Sequence, residues 1–301
     1  MIPEGKVAVI SHDAGGAEIL SSWIRRNTPD FITVLDGPAK KIFRDKLDDL
    51  FEASLSNAVK HSDWVLTGSA WKSYLEYDAI AFSRKKGKRV ITFLDHWGNF
   101  RERFTRNDVS QFPHEIWVGD KYALEIARKN LPEVAVINQV DNPYFQDIKK
   151  ELKKYSKPAV TGKTRILYVT EPTAEHALAQ EGNERHWGWT EFDALRYFLE
   201  NVDKVCTGGI EVITVRPHPA EKQGKFDYIL DHFEDLPIEI NRDEKLLQQI
   251  VHHQWVVGCN TMPMVVGLMN GNKVLCSIPP NGRLCQLPFK EIKYISHFVS
   301  N

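Results

Sequence analysis

The sequence has no excess of positive charge. Its 39 Lys and Arg are matched by 40 Asp and Glu, for a formal net charge of −1 at pH 7. A domain that binds nucleic acid over a broad face carries a basic surplus, so no polynucleotide partner is expected. Cysteine is scarce: Cys206, Cys259, Cys276 and Cys285 are the only four in 301 residues, and none stand in CxxC spacing. That argues against a disulfide framework or a zinc ribbon. The N-terminus has no charged segment leading into a long apolar run, so a signal peptide is not expected. The most apolar stretch, residues 255–269, is interrupted by Asn260, Thr261 and Pro263 and is too short to span a bilayer. HExxH, P-loop, GxSxG, GxGxxG and DxD motifs are all missing, which removes the usual signatures of zinc peptidases, NTPases, α/β-hydrolases, dinucleotide binding and single-domain metal-dependent transferases. The chain reads as soluble, reduced and cytoplasmic, and is compatible with a peripheral contact at the inner face of a membrane.

What is present is an ordinary globular composition, with 42% hydrophobic and 26% charged residues. Short β-branched runs recur at residues 7–11, 32–36, 64–68, 90–95, 116–119 and 134–138, and helix-like stretches such as 17–26, 74–86 and 121–130 alternate with them. Continuous apolar strands separated by helices indicate a parallel sheet covered on both faces. Residues 148–164 are polar, basic and broken by Pro158 and Gly162, a helix end followed by a linker. A second series then begins, with runs at 165–171, 210–215, 237–240, 254–258 and 273–277 and helices expected at 190–200 and 243–251. The expected fold class is α/β: two Rossmann-like, doubly wound parallel-sheet domains facing a central cleft, over residues 1–155 and 156–301.

In such sheets ligands bind beyond the carboxyl ends of the strands, so the residues following each run matter most. Ser11-His12-Asp13-Ala14-Gly15-Gly16 follows the first. Gly15 and Gly16 suit close approach of backbone amides to a ligand phosphate, and Asp13 serves either as a general base or as a helix cap. Asp95-His96-Trp97-Gly98-Asn99-Phe100-Arg101-Glu102-Arg103 follows the fourth run and crowds a carboxylate, an imidazole, an indole and two arginines at one strand end. Asp95 or His96 can take a hydroxyl proton and Trp97 can stack on a sugar; a solvated loop with one packed indole is the alternative. In the second half, Thr170 and Glu171 follow the first run and either hold sugar hydroxyls or cap a helix. Trp187 lies in a Trp-rich loop and is a second stacking candidate. Trp71 and Trp189 are also placed in or beside loops, whereas Trp23, Trp64, Trp117 and Trp255 are assigned to the core. Arg216-Pro217-His218-Pro219-Ala220-Glu221 presents one His between two prolines. Cys259-Asn260-Thr261-Met262-Pro263 is a helix start with free amides and a hydroxyl for an anion. The basic run 84–89 is read as a solvated helix end.

Together, the strand-end Arg216-Pro217-His218-Pro219 and the later Gly258-Cys259-Asn260-Thr261 resemble motifs of GT-B fold glycosyltransferases, and most of all the bacterial sialyltransferases, polysialyltransferases and capsule transferases with a His-Pro motif. By that resemblance, His218 and Pro219 match the His-Pro motif, and His218 and Thr261 engage the donor phosphate. From their places at the strand ends, Arg216, Asn260, Thr170 and Glu171 are further donor-site candidates. The base lies in the N-terminal half, with Asp13 and Asp95 as the two candidates, because the family's acidic motif has no clean match. The resemblance also implies direct displacement without a metal or other cofactor. The substrates would be a nucleotide sugar, CMP-activated in preference to UDP-activated, and a glycan acceptor. A nucleotide-sugar 2-epimerase or hydrolase on the same scaffold, or a non-catalytic binding protein, is the alternative.

Overall fold

The structure, a computed structural model, describes residues 2–71, 73–159 and 162–299. The chain divides into two compact units, Met1–Asp147 and Ile148–Asn301. The division falls inside the helix Pro143–Leu152. Of the expected linker, Val160 and Thr161 lie outside the described residues.

The first unit holds β1 (Val7–Ser11), β2 (Phe31–Leu35), β3 (Trp64–Thr67), β4 (Arg89–Leu94), a small antiparallel hairpin of β5 (Thr105–Arg106) and β6 (Val109–Ser110), then β7 (Glu115–Val118) and β8 (Val136–Gln139). Six of these strands pair, all parallel, in the order β2-β1-β3-β4-β7-β8. The second unit holds β9 (Thr164–Val169), β10 (Ile210–Arg216), β11 (Ile238–Ile240), β12 (Trp255–Gly258), β13 (Lys273–Cys276) and β14 (Lys293–Tyr294). They form a parallel sheet in the order β11-β10-β9-β12-β13-β14. Counted along the chain, the second order is the 3-2-1-4-5-6 of the classical dinucleotide fold, and the first begins 2-1-3-4 as in flavodoxin-like sheets. The strand order reverses between β1 and β3 in one unit and between β9 and β12 in the other, and each reversal opens a crevice at the carboxyl edge.

Burial explains why these segments are strands. Val7 to Ile10 are wholly buried, as are Val65, Leu66, Val90, Ile91 and Phe93; a strand covered on both faces has no polar side to alternate with. Trp23, Trp64 and Trp117 pack in the first core with ring centroids 5.9 to 6.5 Å apart, and Trp255 is buried in the second. Each such indole removes up to about 250 Å² from water and dominates its part of the core. Cys206, Cys259 and Cys276 are buried free thiols.

Every expected run contains a strand, with ends shifted by a residue or two. Three strands escaped the pattern. β14 is two residues long and starts with a lysine; β5 and β6 are two residues each around Asn107 and Asp108, which both take positive φ (48° and 61°). Such a turn is local chemistry that periodicity does not report. No helix among the described residues is long and apolar enough to cross a membrane.

Candidate active site

At the crevice of the first unit, β1 and β3 end side by side. A Cβ on Gly16 would lie 3.2 Å from the Cα of Gly68, and a Cβ on Gly15 would lie 2.0 Å from Oδ2 of Asp95. These glycines are therefore required by close packing and by the protein's own carboxylate at the start of the helix Ala14–Asn27. The expected phosphate role of Gly15 and Gly16 is replaced by that packing: the anion at this helix start is Asp95.

Asp95 and Asp13, alternatives in the sequence, differ in their surroundings. Asp95 is ion-paired with Arg103 at 3.1 Å, both side chains about nine-tenths buried, and accepts the Ser69 hydroxyl at 3.1 Å. Arg103 also donates to the Ser69 carbonyl and hydroxyl. A carboxylate so neutralised is a fastener between β3 and β4. Asp13 stands at the N-cap position but makes no cap bond with its side chain. One oxygen instead meets Nδ1 of His12 at 2.7 Å, and the other accepts the backbone N–H of Trp71 at 2.8 Å. Both side chains remain part-exposed, 26% for His12 and 32% for Asp13. An imidazole held at Nδ1 by a carboxylate has its tautomer and ring orientation fixed, the arrangement used to make a His a directed base.

Behind this pair, Glu76 of the helix Leu75–Lys85 accepts the backbone N–H of His12 at 2.7 Å. Its other oxygen is buried without a hydrogen-bond partner among the described residues. Burial pushes its pKa up to about 7, with Asp13 adding to the rise. His96 is half-buried, and burial followed by the Arg103 charge lowers its pKa, so it is neutral at neutral pH. Trp97 departs from expectation. It is 4% exposed, its Nε1 donates to Asp120 at 2.7 Å, and its ring stacks on Phe145 at 6.4 Å. With its polar atom satisfied and its ring packed, it is a core residue and offers no face to a sugar.

In the second unit the crevice joins the loops after β10, β9 and β12, three adjacent strands. His218 lies on the turn after β10. Its backbone N–H donates to Oε2 of Glu221 at 2.7 Å and to Oγ1 of Thr170 at 3.0 Å, and Thr170 in turn donates to the same Glu221 oxygen. The Ala220 N–H donates to Nδ1 of His218 at 3.2 Å. Nδ1 must therefore be the acceptor, which puts the ring proton on Nε2. Burial lowers the His218 pKa, so the group is a neutral N–H donor of fixed orientation.

Glu171, after β9, accepts the backbone N–H of Asn260 at 2.6 Å across the crevice, and burial pushes its pKa up to about 7. The Asn260 side chain accepts the N–H of Gln286 at 2.9 Å. Thr261 is the N-cap of the helix Met262–Asn270, yet its hydroxyl makes no cap bond. Of the first-turn amides, Pro263 has no N–H and Met264 donates to the Thr261 carbonyl at 3.1 Å, so the Thr261 hydroxyl and the Met262 N–H are what this helix start offers an anion.

The structure thus gathers Thr170, Glu171, His218, Asn260 and Thr261 at one sheet edge. Arg216 points elsewhere, donating to the Glu244 carbonyl at 2.6 Å and to Gln249 at 2.7 Å. Its role is to tie β10 to the loop and helix beyond it. Thr170 also works internally, because its hydroxyl is consumed by the His218 turn. Trp187 is half-buried on its loop, and its carbonyl accepts the N–H of Arg283. Sequence reasoning missed the roles of His12, Glu76, Arg103 and Glu221. A linear signal existed for His12, Arg103 and Glu221, which sit inside motifs already singled out, and none existed for Glu76.

Among the described residues, no group of three or more His, Cys, Asp or Glu converges as a metal would need. No protein-family model and no curated protein sequence matches the chain. Solved structures do match. The UDP-GlcNAc 2-epimerase of Methanocaldococcus jannaschii aligns with TM-score 0.58 at 12% identity, over 90% of this chain and 83% of that one. MurG of Acinetobacter baumannii aligns with TM-score 0.52 at 9% identity, over 97% and 85%. The UDP-GlcNAc 2-epimerase of Neisseria meningitidis, solved with UDP-GlcNAc, aligns with TM-score 0.52 at 8% identity, over 90% and 82%. At these identities the likeness establishes the fold: two Rossmann-like units of GT-B type.

Proposed function

We propose that the chain is a glycosyltransferase that moves a sugar from a nucleotide-activated donor to a hydroxyl of a glycan acceptor. The observation that carries this reading is the edge of the second unit. There an imidazole Nε2–H of fixed tautomer, a helix start and an unspent Thr261 hydroxyl follow β10 and β12, the two neighbours of β9. That set suits the phosphates of a nucleotide donor, and it acts most strongly on the charge that grows on the leaving phosphate. The protein's own donors thus supply the electrostatic stabilisation.

The second unit is assigned to the donor and the first to the acceptor. In the first unit His12, oriented by Asp13, takes the proton of the acceptor hydroxyl. Asp95 and His96 support that region without taking the proton, since Asp95 is spent on Arg103. The His-Pro resemblance favours a nonulosonic acid on CMP. The fold neighbours are named for UDP-GlcNAc, so both donor types belong in the assay. A second reading, epimerisation or hydrolysis of the nucleotide sugar, is favoured by Glu171, which is half-protonated near neutral pH beside the donor site.

The test is product analysis with CMP- and UDP-sugars, with and without glycan acceptors. Acceptor-dependent release of nucleotide supports transfer. Free sugar or an epimer formed from the donor alone overturns it.

A further inference from the structure

Lys225 lies outside every motif and behind the donor edge. Its side chain is 10% exposed, and its ammonium meets three carboxylates: Glu175 at 2.7 Å, Glu221 at 3.1 Å and, closest, Glu191. The Glu191 and Glu221 side chains are 2% and 0% exposed. Three acids around one base give the group a formal charge of two negatives, and burial raises the Glu191 pKa against it, an unfavourable composition unless it achieves something else. What it achieves is visible in the second oxygens. Glu221 uses its own to hold the His218 N–H, and Glu191 uses its own to hold the N–H of Ala174 at 2.8 Å, at the start of the helix that follows Glu171.

We propose that Lys225 is a positioning residue for the donor site, pinning through Glu221 and Glu191 the two strand-end loops that carry His218 and Glu171. Burial works against the Lys225 charge, but its three carboxylates outweigh it and hold the pKa above the usual lysine value. The ammonium is further packed against the rings of Phe192 and Phe226, at 5.3 and 5.7 Å. It is therefore a fixed hub, unlike a surface ion pair, whose members move in solvent. Without it, the like charges of Glu175, Glu191 and Glu221 separate, and the loops they hold move with them. A small displacement of a ligand-holding group is enough to lose most of its effect.

This role rests on the reading of the His218 turn as the donor site. The test uses the full chain and measures KM for donor and for acceptor, with thermal melting as a fold check. Lys225→Met is expected to raise donor KM by about 10–100-fold, the range known for residues that orient ligands at metal sites, and to leave acceptor KM unchanged. Adding Glu191→Gln restores the original charge of the cluster and is expected to recover most of the loss, which a merely structural lysine would not show. Should Lys225→Met fail to fold, Lys225→Arg is the second arm. Its planar fork cannot meet three carboxylates from one point, so donor KM rises several-fold there too. A folded variant with unchanged donor KM, or equal losses toward donor and acceptor without rescue, overturns the positioning role alone. A wild-type chain that binds and turns over no nucleotide sugar overturns the donor-site reading and this role with it.

Discussion

The two units solve the same structural problem with opposite chemistry. Each brings a buried glutamate to the crevice where its strand order reverses, and each glutamate accepts backbone N–H from the neighbouring strand end: Glu76 from His12, Glu171 from Asn260 and Cys259. In both, burial raises the pKa to about 7. Around that shared feature the first unit sets a carboxylate–imidazole pair with room to move a proton. The second sets a neutral N–H donor and a helix start whose Thr261 hydroxyl caps nothing. On the function proposed above, one scaffold yields a base in one place and an anion holder in another, and the difference lies in which oxygens are already spent. Asp95 and Thr170 look functional in the sequence but are consumed by Arg103 and Glu221. Asp13 and Thr261 look like caps, but neither side chain caps its helix.

Substitutions can break this contrast, starting with the largest expected effect. Asp13→Asn leaves the Trp71 contact intact but removes the charge that orients His12. It should lower kcat by about 10³-fold, within the range of a lost acid–base function, with donor KM nearly unchanged; equal loss in both would contradict a role confined to the first unit. His218→Ala removes one donor to the leaving phosphate and should cost about 10²-fold in kcat/KM, read by steady-state kinetics over a donor series.

Glu171 sharpens the comparison through pH. It is neutral below about pH 7 and negative above, so donor KM should climb as pH rises through neutrality, by about 10-fold between pH 6 and 8 if one like charge is at work. Glu171→Gln should flatten that profile, and a wild-type profile that is already flat would remove Glu171 from the phosphate's neighbourhood. The smallest effect is on stability. Between its ordinary value of 4.5 and about 7, native Glu76 keeps a proton that the unfolded chain has released. Stability therefore falls as pH rises through that window. Glu76→Gln should gain about 2 kcal/mol at pH 8 and nothing near pH 4, checked by denaturant melts. Equal gains at both would mean the glutamate is not titrating there.

The sequence made much of the frame legible, because buried parallel strands announce themselves as β-branched runs and their ends mark where ligands bind. Trp23, Trp64, Trp117 and Trp255 proved to be core, as their place within elements implied. What stayed hidden depended on partners distant in the chain. Trp97 follows a strand like a site residue, but Asp120 and Phe145 claim it. Gly15 and Gly16 look like a phosphate loop, yet Asp95 and Gly68, far along the chain, explain both. Glu76 and Lys225 carry no local signature, since their significance arises only from what folding places against them.

The most direct test of the division of labour is nucleotide-binding calorimetry on the wild type, Asp13→Asn and His218→Ala, paired with a transfer assay on the same preparations. Asp13→Asn should bind donor nucleotide as the wild type does while losing transfer, and His218→Ala should lose binding. The opposite pattern, with nucleotide affinity lost in Asp13→Asn and kept in His218→Ala, would contradict the assignment of the donor to the second unit and of the base to the first.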